Sequence, residues 1–310
     1  MKILTSCPTQ AVLYLVLSFF LVPEVRAELK PGQVRRVVAR MAGFKLPDKA
    51  VTVRTVAETG PTAAEALVDI ETAYRLEEVE SGHWRVQEIR VGPDVWEQIT
   101  LIGAALGADV PGDTCNDPER FITKPTVSEP SPRRARCLLA SLVSVELPSD
   151  AVRIRQISPL SLPLASRPSA MAVVRIQVRV RLGRDSRNAW QVLEIRPGNR
   201  GWTNLEHVLG ALNQEKSKLA RADLETLSIA LEKFRQERGF YVSADNASVM
   251  VDYLSPRYLQ RVIRVDPWHI PYQYQGTSDH FTLRSTGPDG KENTPDDILL
   301  ASSSPKTSSL

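Results

Sequence analysis

The sequence predicts an α+β protein: two tandem, related, small helix-plus-antiparallel-sheet modules, then a long helix leading into a head with a small antiparallel sheet. Runs with apolar residues at every second position recur between residues 46 and 91 and again between 147 and 196, the period of half-buried strands. The two stretches also match each other in order and in residues. A single run of helical period then spans Thr203 to Arg238.

The 310 residues are 42% hydrophobic and carry a formal charge of +3. That is enough apolar material for packed cores and too little charge to demand nucleic acid. Residues 1–27 read as an export signal, with Lys2 at the positive start, an apolar run from Ala11 to Val22, and the small residues Val25 and Ala27 at the cleavage positions. The run is short for a bilayer crossing of about 20 apolar residues, so an inner-membrane anchor formed by residues 11–22 ranks second. The expected location is periplasmic or extracellular, with membrane contact only through the signal segment if it stays uncleaved. Export removes Cys7 and leaves Cys115 and Cys137 as a candidate disulfide. Two free thiols are the alternative.

Residues 28–106 form the first module. Gln33 to Met41 has the spacing of a short helix with Arg35, Arg36 and Arg40 on its wet side. Strands are expected over Leu46–Val56, Ala66–Leu76 and His83–Val91, and Pro93-Asp94 opens a helix carrying Trp96, Ile99 and Leu106. Residues 135–212 repeat this order. LPSDAVRIR answers LPDKAVTVR at an offset of 101, and Trp84, Glu88, Ile89, Arg90, Gly92 and Trp96 match Trp190, Glu194, Ile195, Arg196, Gly198 and Trp202 at an offset of 106. A tandem duplication of a unit of about 75 residues is the reading; two copies are too few for a solenoid. Between them, residues 107–134 hold five prolines and no sustained period, and read as a Pro-rich linker.

In the second module Arg175, Arg179 and Arg181 share one strand face with Gln177, against an apolar face of Val174, Ile176, Val178 and Val180. This is a candidate partner face for an acidic protein or an anionic glycan; a solvated strand face is the plainer reading. From Thr203 the helical run carries Leu205, Leu209, Leu224, Leu227, Leu231 and Phe234, and Gly239 sits where a left-handed residue ends a helix. One helix is thus shared between the second module and the C-terminal head. Asp289, Asp296 and Asp297 lie in a loop whose Gly287, Pro288 and Gly290 fit turn chemistry. Oxygen-rich sets of this kind suit a hard cation, although a water-stabilised turn cluster is the alternative.

ARADLETLSIALEKFRQERGFYV, then SPRYLQRVIRVDPWHIPYQY, then STGPDGKENTPDDI resemble the C-terminal domain of the type II secretion major pseudopilin. The three motifs, over residues 220–300, occur in that family's order. The resemblance implies a pseudopilin-like calcium-binding domain over 213–300, in which a helix packs on a small antiparallel sheet. It also implies calcium as cofactor, held by the backbone carbonyl of Thr286 and the side chains of Asp289 and Asp296, with Asp297 at a neighbouring position that is often a ligand. Trp268, Pro271, Tyr272 and Tyr274 are expected in the turn and core of that sheet, with Phe240 and Tyr241 sealing it. Two features depart from the family. The run Ala11 to Val22 lacks the glycine and glutamate of a prepilin-peptidase site, and Val242 replaces a proline usual after the tyrosine. Polymerisation into an ordinary pseudopilus is therefore not expected. Residues 301–310 read as a disordered tail.

Catalytic patterns are missing. His83, His207, His269 and His280 have no metal spacing, and no nucleotide or nucleophile-elbow motif occurs on a suitable strand. Glu88 and Glu194 recur, but each is followed by Ile and Arg, so ion pairs with Arg90 and Arg196 are expected. The sequence thus reads as a non-catalytic exported envelope protein, an interaction or scaffold component linked to type II secretion or pilus-like assembly, with protein partners in the envelope. The alternative is a periplasmic or extracellular binding module using the basic face.

Overall fold

The computed structural model describes residues 29–41, 43–80, 83–105, 107, 130–142, 152–160, 167–198 and 201–302. The export signal, most of the expected linker, Cys115 and the tail beyond residue 302 lie outside the described residues. The architecture is α+β: a large antiparallel sheet, a long helix and a small antiparallel sheet.

The large sheet comes from two runs of the same element order. The first is α1 (Pro31–Ala39), β1 (Val51–Gly60), β2 (Ala63–Glu80), β3 (His83–Gly92), β4 (Val95–Gln98) and α2 (Ile99–Ala105). The second is α3 (Pro132–Leu142), β5 (Val152–Leu160), β6 (Ser169–Arg184), β7 (Trp190–Pro197), β8 (Thr203–Asn204) and α4 (Leu205–Arg238). All eight strands join one sheet whose centre is the long antiparallel pair β2–β6. Each run pairs its strands in the same register. Val51 faces Ile70 as Val152 faces Ile176, and a bulge follows Val53 as one follows Ile154. A second bulge lies between Arg75 and Leu76, and again between Arg181 and Leu182. Across the centre Ile70 pairs with Ile176, two positions the 106-residue offset makes equivalent. The sheet therefore has a local two-fold axis at that pair.

Alternation along β2 and β6 sends Ala66, Val68, Val174 and Val180 to the buried face. Two hydrophobic clusters form there, and each draws on both runs. In one, Val34 and Val38 of α1 pack on Val51, Val68, Val180 and Val192. In the other, Leu138 and Leu139 of α3 pack on Trp84, Val86, Val152 and Val174. The two units are thus merged into one layer of helices on one sheet.

Two elements differ from expectation. Residues 95–98 form β4 rather than the start of a helix, because Asp94 turns the chain in the left-handed region (φ 55°) and Trp96 pairs back with Arg90. Residues 132–142 form α3, where Pro132 takes the first helical position and needs no N–H there.

α4 starts at Asn204, whose side chain accepts the His207 N–H at 3.0 Å, and stops at Gly239 (φ 87°). At 1.5 Å per residue it is about 50 Å long. Its front reaches the sheet through Leu205. Its rear, from Ala220 to Phe234, forms the head core with α5 (Ala247–Leu254) and the small sheet β9 (Gln273–Gly276), β10 (Phe281–Ser285) and β11 (Ile298–Ala301), in the order β11–β10–β9. Tyr241, Tyr274 and Phe281 are buried together, with Tyr241 meeting Phe281 edge-on at 5.0 Å. Phe240, expected in that core, is half exposed and meets Phe234 edge-on at 6.0 Å.

Candidate functional site

The head's loops are organised by one buried carboxylate. Asp266 accepts the N–H groups of Trp268 (3.0 Å) and Ile270 (2.9 Å) with Oδ1, and the Ser285 hydroxyl (2.6 Å) with Oδ2. The first two bonds close the turn before Pro271, with His269 left-handed at φ 67°. The third ties that turn to the end of β10, one residue before Thr286. Trp268 Nε1 donates to Asn213 of α4 at 2.9 Å, so the turn is also fastened to the long helix.

From Thr286 the chain enters the acidic loop. Gly287 has φ 62°, and a Cβ there would lie 2.6 Å from the Asp296 carbonyl and 2.7 Å from its carboxylate. Only glycine tolerates both conditions, and its absent side chain lets the 286–287 backbone lie against Asp296. Asp289 Oδ1 accepts the Lys291 N–H at 2.8 Å, and Asp297 Oδ2 accepts the Asn293 N–H at 2.9 Å. The Asp296 carboxylate takes the Asp289 N–H at 3.3 Å.

All three carboxylates then converge on one hydroxyl. Thr294 Oγ1 lies 2.7 Å from Asp296, 3.3 Å from Asp289 and 3.4 Å from Asp297. A hydroxyl has one proton to give, so two of these carboxylates face its oxygen without a proton between them. The Asp296 carboxyl is held below the ordinary carboxylate range, first by the Thr294 hydroxyl and then by the Asp289 N–H, against the opposing effect of burial. Thr286 is 2% exposed, and its own hydroxyl is buried without a partner among the described residues.

Among the described residues no three Asp, Glu, His or Cys side chains form a cluster able to hold a metal by themselves. The donors that meet at Thr294 are three carboxylates, its own hydroxyl and the Lys291 carbonyl. Such a set fits calcium, which takes carbonyls and waters beside carboxylates. Sequence reasoning missed Thr294 at the centre; its place between Asp289 and the Asp296-Asp297 pair was the available signal.

The arginine row of β6 is largely answered from within the chain. Arg175 meets Glu71 of β2 at 2.8 Å, and Arg181 meets Glu65 at 2.8 Å and Glu194 at 2.9 Å. Arg179 is exposed and faces Leu67. Glu88 and Glu194 pair with Arg75 and Arg181, not with Arg90 and Arg196, because antiparallel register sets Arg75 opposite Glu88 and brings Arg181 to Glu194. In both units the arginine also lies over a tryptophan, Arg75 on Trp96 and Arg181 on Trp202, each at 4.0 Å. The two recurring glutamates are thus engaged in matching Arg–Glu–Trp clusters. Cys137 is disulfide-bonded; Cys115, expected as its partner, lies outside the described residues.

This part of the chain is a long helix laid on a three-stranded sheet, with an acidic loop at the sheet's end. Residues 207–300 match the family model for type II secretion system (T2SS), protein G. The match starts upstream of Ala220 and takes in most of α4. No curated protein and no solved structure matches the chain. Among the described residues no helix is long and apolar enough to cross a membrane.

Proposed function

We propose that this protein is a non-catalytic, exported component of the bacterial envelope that serves type II secretion or pilus-like assembly as an interaction or scaffold element, with a head stabilised by calcium. The observation that carries this reading is the protein G match over residues 207–300, which includes every residue of the acidic loop. Calcium would be held by Asp289, Asp296 and the Thr286 carbonyl, with Asp297 adjoining. When bound it neutralises carboxylates that otherwise share one hydroxyl. Partners are secretion-system proteins of the envelope, and the location is periplasmic or extracellular. The repeated registers and bulges support origin of the large sheet by tandem duplication.

Thermal melts of the whole protein test the calcium role. Calcium should raise Tm well beyond magnesium, and Asp289→Ala and Asp296→Ala should remove that gain. Equal shifts with the two ions, or variants that respond like wild type, would overturn it. Recovery of secretion-system proteins in a pull-down from envelope extracts tests the partner class.

A second reading is a binding module for an acidic protein or an anionic glycan on the basic face. Arg179 favours it, being exposed with no ion pair among the described residues.

A further inference from the structure

The sheet face opposite the helices is a ladder of carboxylate–guanidinium pairs. Arg54 meets Asp69, Arg75 meets Glu88, Arg175 meets Glu71, and Arg181 meets Glu65 and Glu194. Among the described residues one opposed pair of arginines has no carboxylate. Arg179 of β6 stands directly opposite Arg196 of β7, and neither has an ion-pair partner among the described residues. Like charges opposed across a ladder are destabilising. The Arg196 guanidinium lies 5.9 Å from the Trp202 ring, and its Nε has no hydrogen-bond partner among the described residues, which costs free energy unless something accepts from it.

The first unit shows that the fold does not need this arrangement. The 106-residue offset places Arg196 on Arg90 but Arg179 on Ala73. The arginine pair is therefore an addition peculiar to the second unit. Leu67, opposite Arg179 on β2, supplies apolar footing on one side.

We propose that Arg179 and Arg196 form the docking point for an acidic segment of a partner protein, whose Asp or Glu side chain pairs with both. Arg54, Arg75, Arg175 and Arg181 on this face are each answered by a carboxylate, and a carboxylate placed between Arg179 and Arg196 would accept from both guanidiniums. This deepens the second reading above and does not depend on the calcium loop.

The test uses the whole protein and two probes: a fluorescein-labelled peptide of alternating glutamate and leucine, and phosphatidylglycerol vesicles. Anisotropy tracks the peptide at low and at physiological salt, and co-sedimentation tracks the vesicles. The peptide is expected to bind more weakly as salt rises. Arg179→Ala and Arg196→Ala should each weaken it by about tenfold or more, as loss of a charge-assisted bond implies. Arg187→Ala, in an exposed turn, should leave it unchanged. Arg179→Ala should also hold or raise Tm, because it relieves the like-charge pair; a merely structural arginine would lower Tm when removed. Peptide binding that survives both variants overturns the Arg179–Arg196 assignment while leaving an acidic partner elsewhere on the face. No peptide binding overturns both. Vesicle binding alone, lost in the variants, assigns the pair to a lipid phosphate instead and also overturns the proposal.

Discussion

The joint between sheet and head rests on one buried ion pair, and its removal is the most informative perturbation. Lys216 of α4 reaches Glu97 of β4 at 2.5 Å, across 119 residues of sequence, with side chains 5% and 11% exposed. Lys216→Met alone strands Glu97 in a nearly dry site. Breaking a buried pair from one side costs about 3–5 kcal/mol. The His269 imidazole, 3.9 Å from Glu97 and 43% exposed, brings water to the edge of the site, which argues for the lower end, about 3 kcal/mol. At about 2–4 °C per kcal/mol for a protein of this size, Tm should fall by roughly 6–12 °C. Glu97→Met should cost a similar amount. The double variant should recover most of the loss, because two well-packed apolar side chains replace a buried pair at little cost. Urea denaturation of the wild type, both single variants and the double variant measures the coupling directly. A Lys216→Met loss below about 1 kcal/mol, the worth of an exposed pair, would refute the reasoning, since it would mean that water reaches both charges.

The same geometry sets three further outcomes. Gly287→Ala meets both a left-handed backbone and the Asp296 carbonyl, so it should lower the melting temperature of the head by the equivalent of about 1–3 kcal/mol; Gly201→Ala, with nothing near its absent Cβ, should not. Burial raises the phenolic pKa of Tyr74, of Tyr272 (with Asp223 adding to it) and of Tyr274. The folded state thus holds these protons more tightly than the unfolded chain. Stability should be full below about pH 10 and decline as pH rises above it, and Tyr74→Phe should flatten part of that decline in circular-dichroism melts. Asn204→Ala removes the cap of α4 and should cost about 1 kcal/mol, read as a parallel shift of the denaturation curve without a change in slope.

The parts of the molecule that were legible in the sequence are those set by local rules. α4 announced itself through helical period and the Gly239 stop, and the turn before β9 through Trp268 and Pro271, although the Asp266 carboxylate that closes it went unread. The repeated order was legible because the same residues recur at offsets of 101 and 106, whereas the shared bulges were not. Partner choice was not. Glu88 turns to Arg75 rather than Arg90 because pairing obeys strand register, which no single strand encodes. The carboxylates that answer Arg175 and Arg181 on β2 lie 104 and 116 residues away. Trp96 looked helical because a four-residue strand running into a helix has too few alternations to declare its period.

The long helix settles how the head is mounted. A helix of about 50 Å normally needs one continuous apolar stripe to stay packed, yet α4 carries two, separated by the Lys216 region. Leu205 and Leu209 face the sheet cluster, while Leu224, Leu227, Leu231 and Phe234 face the head. Between them Lys216 and Asn213 reach sideways to Glu97 and Trp268. Asn213 and Lys216, three residues apart, share one helix face, and the His269 imidazole of the Asp266 turn lies 3.9 Å from Glu97, so β4 and the turn meet on the same side of the helix. Rotation of the Asp266 turn about α4 would break the Trp268–Asn213 bond, and bending of α4 at Lys216 would expose the Lys216–Glu97 pair to water. The helix front is therefore already committed to its own sheet. A filament built through that front would first have to strip Leu205 from its core, and the head is better placed to act as a fixed surface carried by the sheet.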